Sequence, residues 1–256
     1  MPEVMNMVRV LLNGCNGKMG QAITRTAKFR NDIKVVAGVD ALNQECSSYP
    51  VYKSPYDVKE EIDLIIDFSH FSAVKGILGF ALDKKLPIVI ATTGLTDEHK
   101  AMISEASQTI PVLLSANMSL GINLLIELVK KAAKTLYGTF DIEIVEKHHN
   151  QKVDAPSGTA LAIADAINSA LSPHQLKYVY DRHSTIQKRT RDEIGIHSIR
   201  GGTITGEHSV IFAGNDEVIE IKHTAASKDL LAEGALKAAL FLHGKAPGYY
   251  KMQDIF

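Results

Sequence analysis

"VRVLLNGCNGKMGQAITRTAKF" occupies residues 8–29, and its reading decides the fold. Residues 8–14 are apolar and β-branched, as a buried strand is. From Lys18 onward the apolar positions repeat with helical spacing. Between the two lie Gly14, Gly17 and Gly20. Glycine lets a backbone turn sharply and approach a pyrophosphate closely. The helix that follows aims its free N–H groups and the positive end of its dipole at that phosphate. The spacing is G-x-x-G-x-x-G, with Asn16 where the usual G-x-G-x-x-G pattern has a glycine. Taken alone, the turn also fits an ordinary strand-to-helix junction of any α/β protein.

The rest of the first half repeats this rhythm. "IKVVAGVD" (33–40), "DLIIDF" (63–68), "PIVIATTG" (87–94) and "PVLLSAN" (111–117) read as strands. "AVKGILGFALDKK" (73–85) and "TDEHKAMISEAS" (96–107) read as helices, the latter with a threonine cap and acidic first turn. Short, nearly all-apolar strands alternating with helices predict a parallel sheet covered on both faces. Near residue 118 the rhythm changes. A long helix at 121–136 leads into an alternating strand at 140–149, and a further helix begins near Ser157. Two strands at 203–214 and 217–225, joined through "AGNDE", predict a hairpin. This part reads as α+β with an antiparallel or mixed sheet. One amphipathic helix spans 227–244, with Gly244 placed to stop it. The polar, weakly periodic segment 172–202 is expected to be a long loop or flap.

The chain has 256 residues, enough for one large domain or two modest ones. With 45% hydrophobic and 22% charged residues, it has the composition of a soluble globular protein. A net charge of −1 offers no basic surface for nucleic acid. No apolar run approaches the roughly 18 residues that span a bilayer. The start, "MPEVMNMVRVLLNG", lacks the charged region and cleavage site of a secretory signal. Cys15 and Cys46 form no disulfide framework and no zinc cluster, which fits a reducing cytoplasm.

Several residues strengthen the dinucleotide reading. Asp40 ends the second strand about 20 residues past the glycines, where a carboxylate hydrogen-bonds the adenosine ribose. It favours NADH. Ala41 stands where an arginine would receive the 2′-phosphate of NADPH, although Lys18 could still meet a phosphate. NADH is therefore preferred, with NADPH tolerated. "ATTG" (91–94) and "SANMS" (115–119) end strands four and five, where an open α/β sheet binds its ligands. Small, hydroxyl-bearing residues there suit the ribose and nicotinamide, although they are also ordinary loop chemistry. "DFSHF" (67–71) occupies the same edge and would put Phe68 near the cofactor.

A second constellation lies in "EKHHNQKVDAPSGTA" (146–160). A helix starting at Ser157-Gly158-Thr159 presents unpaired N–H groups, and Gly158 admits an anion closely. Lys152 adds a positive charge. Together they describe a carboxylate receptor. His148 and His149 add groups able to carry a proton near neutral pH. Asp154 and Pro156 shape the turn. A lone histidine pair and a Pro-Ser-Gly-Thr helix start are also common structural features. No ligand spacing points to a metal.

In this order and spacing, "NGCNGKMG", "ATTG", "SANMSLGIN", "EKHHNQKVDAPSGTA" and "RGGTITGEHSVIFAG" resemble the 4-hydroxy-tetrahydrodipicolinate reductase (dihydrodipicolinate reductase) family of bacterial lysine and diaminopimelate synthesis. The resemblance covers essentially the whole chain. It implies an α/β fold: an N-terminal Rossmann-type dinucleotide-binding domain (1–119 with 228–256) plus an α+β C-terminal substrate-binding and tetramerisation domain (120–227). It implies reduction of a cyclic, unsaturated dicarboxylate by NADH or NADPH, in a homotetramer. His148 matches the family's acid/base histidine and Lys152 its catalytic lysine. His149, Gly158 and Thr159 match substrate contacts. Gly14, Cys15, Asn16, Gly17, Lys18, Met19, Asp40, Ala91, Thr92, Thr93, Ser115, Ala116, Asn117 and Met118 match cofactor positions. Met118 replaces a common phenylalanine and Ala91 a common glycine. On this reading Lys152, the 157–159 helix start and Arg200 hold the substrate's carboxylates. Arg200 and His208, in "RGGTITGEH" and its flank, are either pocket supports or a loop charge and a core strand histidine. Two rivals remain: another nicotinamide-dependent dehydrogenase of the same plan, and a non-catalytic dinucleotide sensor.

Overall fold

The structure, a computed structural model, describes residues 7–41, 48–184 and 186–256. Cys46 and residues 1–6, on which the cysteine and leader expectations partly fall, lie outside the described residues. The chain divides into two compact units, Met1–Leu120 with Lys228–Phe256, and Gly121–Ser227.

The first unit opens with β1 (Val8–Asn13), α1 (Lys18–Ala27), β2 (Ile33–Val39), β3 (Val51–Tyr52), β4 (Leu64–Asp67), α2 (Val74–Lys84), β5 (Ile88–Ile90), α3 (Asp97–Ala106) and β6 (Pro111–Leu114). The second holds α4 (Leu120–Leu136), β7 (Asp141–His148), α5 (Gly158–Leu171), β8 (Lys177–Val179), β9 (Glu193–Arg200), β10 (Gly206–Ala213) and β11 (Val218–Ala225). The chain then returns to the first unit with α6 (Asp229–Leu242) and β12 (Gly248–Tyr250).

In the first unit seven parallel strands lie in the order β12-β6-β5-β4-β1-β2-β3. Strand β1 explains the layering. Val10 and Leu12 face a core shared with α1 and α6, while Leu11 faces a second core under α2 and α3. A strand buried on both faces must be apolar at every position, which is the run seen in the sequence. From β1 the chain first builds outward through β2 and β3, then crosses back to place β4 on the other side. The order therefore reverses between β1 and β4, and the loops after these strands form the rim of the crevice at that switch point. Strands β3 and β12 are too short to show a periodic signal.

In the second unit the sheet order is β11-β10-β7-β9-β8. Strand β10 runs antiparallel to both β7 and β11, while β7–β9 and β9–β8 are parallel, so the sheet is mixed. Ile142, Ile144, Ile194, Ile196, Val210 and Phe212 face one core under α4 and α5. The expected hairpin is closed where Gly214 N–H donates to Glu217 O at 2.8 Å.

The expectation of a loop across 172–202 is corrected. That segment contains β8 and β9, and β9 lies against central strand β7. Its polarity misled because the charges are spent within the unit. Arg189 donates to the carboxylates of Asp141 and Glu143 and to the carbonyls of Ile142 and Glu193. Arg182 bridges Glu143 and Glu193. The polar residues belong to an ordered sheet face.

Candidate active site

The first unit builds a cradle at the switch point. Gly14 leaves β1 with φ +79°, and a Cβ there would meet the Phe68 carbonyl oxygen at 2.6 Å. A side chain is thus excluded by both torsion and space. Gly20 admits no Cβ either, because the carbonyls of Gly14 and Cys15 lie against it. The first turn of α1 is therefore pressed onto the loop. Gly17 caps α1 without a side-chain acceptor; its own N–H donates to Gly14 O at 3.2 Å, and Gly17 and Lys18 are exposed at the helix start. Asp40, just past β2, accepts from the Asn16 N–H at 3.1 Å and pins the turn. The position without glycine is thereby used: its N–H ties the loop to Asp40.

Beneath the rim, Asp67 at the end of β4 is fully buried. It accepts from Asn13 Nδ2 at 2.8 Å, Ser69 Oγ at 2.6 Å and Thr92 Oγ1 at 2.7 Å. Burial pushes its carboxyl above the usual range, and these hydrogen bonds oppose the shift. The ends of β1, β4 and β5 are locked together by this one side chain. Ala91 and Thr92 are buried, while Thr93 is exposed. The 115–119 loop is held by its own polar groups: Ser115 Oγ donates to Asn117 O at 2.8 Å, and Asn117 Oδ1 accepts from Ser119 N–H at 2.9 Å. Ala116 is exposed on it, and Met19 is half-buried. Cys15 and Met118 place their side chains in the core, the latter only 2% exposed. Phe68 packs against the same core. A dinucleotide would meet the backbone at Cys15 and Met118, so the phenylalanine-to-methionine difference does not present a ring-sized face.

The glycine-lined approach, the exposed start of α1 and a carboxylate after β2 fit a nicotinamide dinucleotide. Among the described residues, no group of three or more metal-ligating side chains is found. No helix among them is long and apolar enough to cross a membrane.

The second unit gathers the other constellation around one carboxylate. Alternation along β7 puts Ile142, Ile144 and Glu146 on the core-facing side, and Glu146 is 0% exposed. Arg200, opposite His148 in the β7–β9 register, binds it with two hydrogen bonds, Nη1 to Oε2 at 2.8 Å and Nη2 to Oε1 at 2.7 Å. His148 Nδ1 lies 2.6 Å from Oε2, and Ser157 N–H donates to Oε1 at 3.1 Å. Burial would raise this carboxyl, but hydrogen bonds from Arg200, Ser198 and His148 bring it down to about 2. The carboxylate is ionised at any working pH.

Ser157 caps α5, its Oγ accepting from Ala160 N–H at 3.2 Å and meeting His208 Nε2 at 3.0 Å. His208, buried on β10, packs its ring edge-on to His148 at 5.3 Å. Burial, with His148 close by, pushes His208 down to about 4. Lys152 Nζ holds the Asp154 carboxylate at 2.7 and 2.9 Å, and that carboxylate also accepts from the Gly158 backbone. The lysine beside the start of α5 thus already grips a carboxylate, supplied by the chain itself. Thr159 follows on the first turn, and His149 is half-buried on the preceding turn.

The structure therefore brings together His148, Lys152, Gly158 and their neighbours. Of the readings of Arg200 left open by the sequence, the structure bears on the pocket-support one. The terminal nitrogens of Arg200 are committed to Glu146 and to the Asp154 carbonyl, the latter at 2.7 Å. Glu146 itself was missed by sequence reasoning. The available signal was a carboxylate at an apolar phase of an alternating strand.

Comparison with known proteins bears on both units. The family described as dihydrodipicolinate reductase, N-terminus, matches residues 8–118, and its C-terminus counterpart matches 121–256. The chain is 55% identical over 249 residues to the 4-hydroxy-tetrahydrodipicolinate reductase of Caldanaerobacter subterraneus subsp. tengcongensis, covering 97% of this chain and 98% of that protein. It is 52% identical over 250 residues to the enzyme of the same name from Clostridium tetani, covering 98% and 97%. A dipicolinate-bound dihydrodipicolinate reductase from Paenisporosarcina sp. TG-14 superposes with a TM-score of 0.82 over 98% of this chain and 100% of that one. At 24% identity that likeness speaks for the fold alone. With both halves matched in order and full-length relatives sharing more than half its residues, the chain belongs to the dihydrodipicolinate reductase family.

Proposed function

We propose that the protein reduces 4-hydroxy-tetrahydrodipicolinate to tetrahydrodipicolinate with NADH or NADPH, in the route to diaminopimelate and lysine. One observation of the site carries the reading: an imidazole held by a buried carboxylate at the end of β7 is followed directly by a turn whose lysine and helix start already hold a carboxylate. An aspartate or sugar-acid dehydrogenase of the same plan gives no reason for the histidine pair, the lysine and the Ser-Gly-Thr helix start together, and a dinucleotide sensor has no need of the imidazole.

The first unit binds the dinucleotide. The Gly14–Met19 turn and α1 face the pyrophosphate, Asp40 faces the ribose, and Ala91–Thr93 and Ser115–Met118 line the nicotinamide end. The reduced nicotinamide supplies the hydride. The second unit serves as the substrate-binding and oligomerisation domain of a cytoplasmic homotetramer. Lys152 and the Gly158-Thr159 N–H groups bind a substrate carboxylate, displacing Asp154, and His149 contacts the ring. Binding through fixed charges orients the ring before reaction, which itself lowers the barrier. After the 4-hydroxyl leaves, hydride addition gives an enamine that must take up a proton. His148 delivers it, with Lys152 assisting.

The test is NADH oxidation with substrate made freshly from pyruvate and aspartate semialdehyde, repeated with NADPH. His148→Gln and Lys152→Ala should each lower turnover by roughly 10²-fold or more, the scale for a positioned proton donor. Unchanged turnover in both variants would reject these roles.

A further inference from the structure

Glu146 has no role in the reaction described so far, yet it is the most engaged buried charge of its unit. Its four donor residues come from three elements: Arg200 and Ser198 on β9, His148 on its own strand, and Ser157 at the start of α5. One oxygen, Oε1, faces the helix that receives the carboxylate. The other, Oε2, faces the imidazole that carries the proton. The remaining titratable group against His148 is His208 on β10, and Lys152 acts on that pair from the turn.

We infer that Glu146 is the positioning residue that fixes His148 with its hydrogen on Nδ1, so that only Nε2 exchanges a proton with the substrate. The inference rests on the proposed role of His148. The carboxylate has no proton of its own to give, so the hydrogen in the 2.6 Å contact with Oε2 must come from Nδ1. Arg200 balances the carboxylate's charge and holds its plane by two parallel hydrogen bonds. The imidazole is thereby aimed without leaving a lone buried negative charge. Because Ser157 N–H is bound to the other oxygen, the aim of the proton donor and the position of the anion-holding helix start share one support.

Exchange to glutamine tests this with little change of shape. Ser157 N–H belongs to the backbone and can only donate, so the amide oxygen must stay on its side. The amide nitrogen then faces both His148 Nδ1 and Arg200 Nη1; the guanidinium cannot accept and loses that one hydrogen bond, whereas the imidazole can adapt, so Nδ1 is required to accept. The imidazole hydrogen must move to Nε2. Two measurements follow: the tautomer of His148 from long-range ¹H–¹⁵N NMR, and the separation of kcat from KM. In the unaltered protein the neutral ring should show the Nδ1–H form. In Glu146→Gln it should show Nε2–H, with kcat down about 10²-fold and KM for substrate within about threefold. A predominant Nε2–H tautomer in the unaltered protein would overturn the inference, and that spectrum decides the matter even if Glu146→Gln fails to fold. Full kcat in a folded Glu146→Gln would overturn it as well. Failure of the underlying reading looks different: His148→Gln itself would retain turnover.

Discussion

His208 should make the second unit lose stability on mild acidification. The ring is 5% exposed, and its Nε2 meets Ser157 Oγ, which already accepts from Ala160 N–H. A neutral ring can accept the serine hydroxyl hydrogen at Nε2. A protonated ring must donate from both nitrogens, and its buried Nδ1 meets no acceptor among the described residues, so the charge gains no compensating hydrogen bond there. Burial and the adjacent His148 act in the same direction, lowering His208 from 6.5 to about 4. Between these values the unfolded chain binds a proton that the folded protein does not. Stability therefore rises with pH across that window and falls as pH drops through it. Proton linkage gives a loss of about 2 kcal/mol from this group between about pH 7 and about pH 5. His223 and the carboxylates also titrate, so the assay is a difference. Urea unfolding of the parent and of His208→Asn is compared at both pH values, with fluorescence and circular dichroism checking for coincident transitions. The stability gap between the two proteins should narrow by about 2 kcal/mol on going to the lower pH. A gap that stays constant would mean that His208 titrates alike in folded and unfolded chains, and the argument from burial and Ser157 would fail.

Three further perturbations probe the framework. Gly20→Ala places a Cβ against the carbonyls of Gly14 and Cys15, so α1 must shift from the loop; overpacking of this kind costs roughly 1–3 kcal/mol, and titration with NADH should show weaker binding by about tenfold. Arg200→Met leaves the ionised, fully buried Glu146 without its cation, which should cost roughly 3–5 kcal/mol in urea unfolding; a loss below about 1 kcal/mol would show the pair to be incidental. Thr92→Val keeps the shape at the end of β5 but removes a donor from buried Asp67, and thermal or urea unfolding should report a loss of about 1–3 kcal/mol.

The parallel sheet was legible in the sequence because burial on two faces leaves no room for polar residues. "DLIIDF" and "PIVIATTG" could be little else between helical segments. Strand β9 escaped for the converse reason. Gly195, His197 and Arg200 give it no clean alternation, and only Ile194 and Ile196 reach the core. What stabilises its other face is a set of ion pairs: Glu143 takes Arg182, Arg189 and His197 from positions 39 to 54 residues away. Hydrophobic periodicity carries no trace of such partners. A polar run therefore reads as a loop until the strand beside it is known.

The same limit separates the visible and hidden parts of the candidate site. Residues 146–159 run from the end of β7 through a single connection into α5, so a histidine, a lysine and a helix start could be seen as neighbours from chain order alone. Arg200 lies 54 residues from Glu146, and His208 lies 51 from Ser157. Only the register of β9 and β10 against β7 brings them in. Glu146 is the instructive case, because its clue was local. In "FDIEIVEKHH" the alternation places Ile142, Ile144 and Glu146 on one face, and a carboxylate in an isoleucine's phase must be solvated by the protein instead of by water. Such a position demands donors from elsewhere in the fold, among them, for Glu146, the Arg200 cation. It thereby announces a buried polar network before the network's other members can be named. At Asp67, in the apolar run "DLIID", the donors the structure supplies are Asn13, Ser69 and Thr92, drawn from three strand ends. In both units a buried carboxylate stands near the end of a central strand and fixes the loops around it, and these are the loops to which the proposed chemistry is assigned.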